Sequence, residues 1–384
     1  MPRKVNILKT NSHRDGFIGH VAKVGSVGHS SDGNLIYLVE DESQLNDSLR
    51  CNFLLISNKC SVSDSQLEKY DYAIIENLSD RIFVDDVVSL DVSRRRLYLL
   101  YEAKSKNNAL YVTDLCNSHC IMCPQPPKEV DDVGIEKIKE IIKNLPQGVE
   151  FLGITGGEPT MLHEELCEIL ELLKEKNPDI FLHILSNARL FEDYHYTKRI
   201  RTAAPRNTTF GVPLYSAERE IHDFITQASG SYDETIRGII NLAKFGFGIE
   251  IRTVLHKQTV NGLPLLADFI YNKLPFVAHV AFMGMEHMGF VKRNWEWLWI
   301  SPKDYQERLY EAVRFLFIRG INISIYNLPY CLTDKRLWGL LTDSITDFKK
   351  DFQDKCNECL LKQTCGGLFH YQKDNTEVVP IRLF

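Results

Sequence analysis

From residue 109 onward the chain alternates apolar strand-like runs with amphipathic helical ones, and few folds accommodate that rhythm. "ALYVTD" begins it as a buried-type strand. "VGIEKIKEIIKNL" places Ile135, Ile138, Ile142 and Leu145 on one helical face. "VEFLGIT" is a second strand, and "LHEELCEILELLKEK" a helix that turns Leu162, Leu166, Ile169, Leu170 and Leu173 inward. "FLHILSN", "TTFGVPL", "GIEIRTVLH" and "VAHVAFMG" continue the strands, with helical stretches between most of them. About six such repeats predict parallel βαβ units. Six are too few to close an eight-fold barrel, so the expected architecture is an open partial (β/α)6 barrel. Its chemistry would gather at the carboxyl ends of the strands.

The first hundred residues read differently. Short β-branched and aromatic runs such as "NLIYLVE", "NFLLIS" and "RRLYLLYEA" are broken by Asp, Ser, Asn and Gly. They predict a small β-rich domain over 1–105, with "KSKNN" as a polar linker or turn. The α/β part then occupies 106–300. Residues 301–384 hold a helix with Ser301 as N-cap, Pro302 at its first turn and Gly320 as its stop, followed by a cysteine-rich extension. The formal net charge of −6 argues against a broad nucleic-acid-binding face. No apolar run approaches membrane-spanning length, and "MPRKVNILKT" lacks a signal-peptide core, so the expected location is the cytoplasm with no membrane partner.

Seven of the ten cysteines fall in two groups. Cys116, Cys120 and Cys123 lie in "LCNSHCIMCPQPP", just after the first α/β strand. Grouped cysteines in a chain of this kind read as metal ligands before disulfides. A structural zinc site asks for a fourth ligand, for which His119 is the near candidate. A cubane [4Fe–4S] cluster held by three thiolates keeps one iron open, and an open iron can bind a small molecule. "ITGGEPT", residues 154–160, ends the second strand at the same mouth. There Gly156 and Gly157 lack Cβ atoms and would let the backbone approach a ligand.

Cys116, Cys120 and Cys123, together with Gly156-Gly157-Glu158-Pro159, resemble the motifs of the radical S-adenosylmethionine (SAM) enzymes over roughly residues 109–300. The resemblance implies a partial (β/α)6 barrel of radical SAM type. It implies a [4Fe–4S] cluster on the three cysteines, with SAM chelated at the open iron. Gly156 to Pro159 would lie along the methionine amino group and Met122 would touch adenine. Ser186 and Asn187 would contact ribose or carboxylate, and Arg252 would pair with the carboxylate or form a structural ion pair. The implied reaction is reductive cleavage of SAM to methionine and a 5′-deoxyadenosyl radical, which takes a hydrogen atom from substrate. An electron donor such as flavodoxin or ferredoxin would be required.

Cys331, Cys356, Cys359 and Cys365 form the second group, the last three as Cys-x2-Cys-x5-Cys. By themselves they fit a zinc site or a cluster equally. Beside the first motif they are similar to twitch or SPASM extensions, implying an auxiliary [4Fe–4S] cluster with four protein ligands. Several segments, including "GVPLYSA", "IRTVLHKQT" and "CNECLLKQTCGG", are similar to the His-Xaa-Ser system radical SAM maturases. That likeness implies a ribosomally made precursor peptide as substrate and a partner maturase of the same superfamily. The N-terminal domain would hold the leader peptide or cap the barrel. Other readings stay open: a radical SAM enzyme acting on a protein side chain, nucleoside or tRNA, a non-catalytic iron–sulfur sensor or scaffold, and a zinc-only binding module. "NWEWLWI" reads as a core or subunit contact.

Overall fold

The computed structural model describes residues 3–23, 34–45, 51–345, 349–370 and 374–382. Its N-terminal part contains β1 (Arg3–Thr10), β2 (Ile18–Lys23), β3 (Leu35–Val39), β4 (Phe53–Ser57), β5 (Tyr72–Ile75), β6 (Val87–Asp91) and β7 (Arg96–Tyr101). These close into a barrel in the order β1-β5-β4-β3-β2-β6-β7, with β7 returning to β1. Alternate residues of β4 show why it closes. Phe53 and Leu55 point into one apolar core with Val5, Val21 and Leu97, while Leu54 and Ile56 pack outward under a second layer with Leu67 and Tyr72. Closure removes free sheet edges, so a peptide cannot join this barrel by adding a strand to an open edge.

The second sheet runs β8 (Ala109–Tyr111), β9 (Phe151–Thr155), β10 (Phe181–Leu185), β11 (Thr208–Pro213), β12 (Gly248–Leu255), β13 (His279–Gly284), β14 (Asn322–Tyr326) and β15 (Leu341–Thr342). Neighbours in sequence are neighbours in space, and every pairing is parallel. The sheet is an open half-barrel with β8 and β15 at its edges. Six strands, β8 to β13, carry the expected repeats. The sheet then continues past residue 300 through β14 and β15. β14 shows the same alternation of burial as β9 and β10, and β15 has only two residues.

Ile154, Leu182, Ile184, Phe210 and Val212 point outward and are fully buried beneath helices such as Glu164–Lys176 and Ser231–Lys244. The intervening residues face the lumen. Cys167 is buried in this helix layer. The two parts are joined near Asn144, a buried residue whose Oδ1 accepts from Asn34 N at 2.8 Å and whose carbonyl lies 3.2 Å from His20 Nδ1. Among the described residues no helix is long and apolar enough to cross a membrane.

Candidate iron–sulfur centre and cofactor mouth

The loop after β8 carries Cys116, Cys120 and Cys123, and five neighbouring segments pin it. His119 N and Ile121 N donate to Thr226 O and Ile225 O at 3.0 and 2.9 Å. Asn294 Nδ2 donates to Ile121 O at 2.7 Å, and Phe290 N to Cys123 O at 2.9 Å. Gly157 N and Glu158 N donate to Thr113 O and Leu115 O, both at 2.7 Å. Arg189 reaches the carbonyl of Asn117, and its Nε pairs with Glu234 at 2.5 Å. Thr113 and Asp114 are anchored in turn on Asp131. Ile121 and Met122 close the loop's inner side in an apolar cluster with Tyr215, Ile225, Met285, Trp295 and Trp299. Met122 is therefore a buried wall residue. Trp295 and Trp299 stack at 4.4 Å within this cluster, as a core contact.

The two glycines also meet the cysteine loop closely. A Cβ on Gly156 would sit 2.6 Å from Thr113 O, and one on Gly157 would sit 2.2 Å from Leu115 O. The close approach they permit is to the backbone of the cysteine loop, and it seats that loop. Glu158 is buried and every donor around it is used. Its Oε1 accepts from Thr160 N at 3.1 Å, Thr160 Oγ1 at 2.6 Å and Ser186 Oγ at 2.7 Å; its Oε2 accepts from Asn187 N at 2.6 Å. Burial pushes its pKa up, against those four bonds. Asn187 Nδ2 then donates to Asn117 Oδ1 at 2.6 Å and stands 4.0 Å from Cys116 Sγ. Pro159 opens the short turn that follows. The carboxylate thus ties the ends of β9 and β10 to the cysteine loop.

The donor chemistry fits a multi-iron group. Burial, followed by the negative neighbour Glu158 and the other thiols, pushes Cys116 up to about 12. Burial and the same crowding push Cys120 to about 12 as well, opposed by a hydrogen bond from Tyr215. Cys123 is raised by burial. Three half-buried, crowded thiols with raised pKa values are poor free thiolates; a polycationic cluster is what would hold them deprotonated. Among the described residues no three His, Cys, Asp or Glu side chains are arranged around a single metal ion. A cubane does not require that convergence, because each thiolate binds its own iron.

Arg252 points into the lumen but is already engaged. Its Nη1 lies 2.6 Å from Glu250 Oε1 and its Nη2 3.2 Å from Met283 Sδ. Glu250 also meets His279 Nδ1 at 2.7 Å and His183 Nε2 at 3.5 Å, and His279 Nε2 meets Ser324 Oγ at 2.9 Å. Burial alone would raise the Glu250 carboxyl. The two imidazoles and Arg252 outweigh it and hold the group well below the usual carboxylate range. The sequence pattern does not show this network, nor the parts played by Arg189, Asp131 and Tyr215. Tyr215 stands at the end of β11, where the strand-end rule would have found it.

Cys331, Cys356, Cys359 and Cys365 line one small pocket, together with apolar residues such as Pro329, Leu368 and Val378. Ile381 N donates to Cys359 Sγ at 3.4 Å. Burial raises Cys331 and Cys365, while backbone donors from Val379 and Gly367 oppose it. Four thiols on one apolar pocket, with N–H donors to sulfur, would suit a fully ligated cluster.

A parallel half-barrel with three half-buried cysteines on the loop after its first strand defines the class: an α/β domain with a group of thiols at its mouth. Residues 110–270 of the chain match the family model described as the Radical SAM superfamily. It is 26% identical over 196 residues to the Fe-coproporphyrin III synthase of Methanosarcina barkeri, covering 49% of this chain and 47% of that protein. It is 27% identical over 153 residues to the GTP 3′,8-cyclase of Aquifex aeolicus, covering 38% and 46%. The chain spans about half the length of these curated relatives. The crystal structure of Streptococcus suis SuiB bound to the precursor peptide SuiA matches with a TM-score of 0.44 and 16% identity, over 56% of this chain and 48% of that one.

Proposed function

We propose that the protein is a radical SAM enzyme that modifies a ribosomally made precursor peptide. The observation that carries the enzyme reading is the seating of the cysteine loop on Gly157 and Glu158 at the half-barrel's mouth. Cys116, Cys120 and Cys123 would hold a [4Fe–4S] cluster, and SAM would complete it. When bound, this pair supplies one-electron chemistry that ends in hydrogen-atom abstraction from the substrate. The protein's own part is positional. Glu158 fixes the Ser186–Asn187 turn beside Cys116, and Met122, Tyr215 and Trp299 exclude water from the inner side of the loop. Arg252 is held on Glu250, which supports the structural ion-pair role over a cofactor contact.

The peptide substrate and a partner maturase rest on the likeness of segments such as "GVPLYSA" and "CNECLLKQTCGG" to the His-Xaa-Ser system maturases. The C-terminal cysteines would hold an auxiliary cluster. The test is anaerobic reconstitution with iron and sulfide, reduction, addition of SAM, and mass spectrometry for 5′-deoxyadenosine. Native protein is expected to form it and a Cys116→Ala, Cys120→Ala, Cys123→Ala variant is not. A fully iron-loaded native protein that cleaves no SAM, with or without candidate peptides, refutes the enzyme reading and leaves the sensor or scaffold.

A further inference from the structure

The segment between β13 and the helix Val291–Leu298 touches the first cysteine loop and the start of the ribbon that leads to the second group. At its far end Phe290 N donates to Cys123 O at 2.9 Å. Gly289, at φ +54, presses so closely that a Cβ there would sit 2.3 Å from Cys123 O and 2.6 Å from Pro124 O. Met285 is buried against Ile121 and Met122 in the cluster behind the loop. Between these two contacts, Glu286 Oε1 lies 2.8 Å from Lys349 Nζ, with side chains only 19% and 32% exposed. Lys349 directly precedes the strand Lys350–Asp351, which pairs with Leu368–Phe369, and Cys365 lies three residues before that pair. Other ties between the extension and the barrel, such as Ser301 Oγ to Glu377 at 2.6 Å and Asn327 N to Ser344 Oγ at 3.0 Å, do not involve the segment that presses on Cys123.

We propose that Glu286 and Lys349 are positioning residues that make the seating of the first cysteine loop depend on the C-terminal four-cysteine module. The module, once filled, orders its two-stranded ribbon and holds Lys349 in place. Lys349 holds Glu286, and the segment then clamps Cys123 through Gly289 and Phe290. A half-buried pair of this kind has an effect that shows only when coupling is measured across it. The inference rests on the metal-centre reading of both cysteine groups but not on the identity of the substrate. It holds whether the module carries a cluster or zinc.

The test follows the loss of the first cluster's visible absorbance, and of its iron to a chelator, in anaerobically reconstituted full-length protein. Glu286→Gln and Lys349→Met are each expected to accelerate that loss about five-fold, and the two together no further, as coupled sites require. The charge swap Glu286→Lys with Lys349→Glu is expected to restore most of the native rate. A Cys356→Ala, Cys359→Ala variant should show the same acceleration, with no added effect from Glu286→Gln. Unchanged rates in the single variants, or independent multiplication in the double, overturn the proposal. If the cysteine variant fails to fold, the charge swap still decides. Metal content measured in the same samples separates failure of the coupling from failure of the metal-centre reading: native protein without metal at either group overturns the latter.

Discussion

Replacing Gly157 by alanine tests the central structural claim, that the Gly-Gly pair seats the cysteine loop. A Cβ at this position would lie 2.2 Å from Leu115 O, 2.7 Å from Leu115 C and 3.0 Å from Asp114 O. All three are backbone atoms, so no flexible side-chain end can swing away. Restoring van der Waals contact requires a separation of roughly 1 Å. That movement takes the Gly157 N–Thr113 O and Glu158 N–Leu115 O bonds, both 2.7 Å, beyond hydrogen-bonding range. Two backbone pairs lost in a partly buried place cost about 1–3 kcal/mol each, so about 4 kcal/mol for the seat. At about 1.4 kcal/mol per factor of ten, the seated loop loses roughly three orders of magnitude in population relative to open forms. The assay is iron stoichiometry after anaerobic reconstitution, with thermal unfolding of the same samples. Gly157→Ala is expected to lose the iron of the first site and about 10 °C in Tm. Gly339→Ala is the control, since that glycine has open space around its Cβ position and an ordinary φ. A Gly157→Ala protein with native iron content and an unchanged Tm would refute the reasoning.

Glu158→Ala leaves the Thr160, Ser186 and Asn187 donors without their acceptor, and unfolding should show a loss of about 2–4 kcal/mol together with weaker SAM binding by calorimetry. Stability of the metal-free protein should fall with acid. Burial lowers His222 to about 4 and His256 to about 3, so the unfolded chain takes up protons below 6.5 that the folded one refuses. The two together predict urea stability lower at pH 5.5 than at pH 7 by roughly 2–3 kcal/mol, and His222→Gln should remove about half of that slope. Cys356→Ser with Cys359→Ser should reduce iron from about eight to about four per chain while the first site stays loaded. Unchanged iron with loss of bound zinc would show a zinc knot there instead.

The order of strands and helices, and therefore the parallel half-barrel, is legible in the sequence alone, because each βα unit buries its own apolar face and writes that periodicity locally. The cysteine spacing is equally legible, since three ligands on one loop are a local property. The tertiary structure decided what those residues press against. Gly156 and Gly157 meet loop carbonyls some forty residues upstream, and nothing in their own neighbourhood records that contact. Glu158 finds donors on the end of the next strand, and Arg252 pairs with Glu250 two residues away. β14 and β15 join the sheet by pairing with a strand already in place. The Glu286–Lys349 pair spans more than sixty residues of sequence. Local burial patterns are encoded by side-chain period; partners brought together by chain folding are encoded by topology, and topology exists only once the sheet has formed.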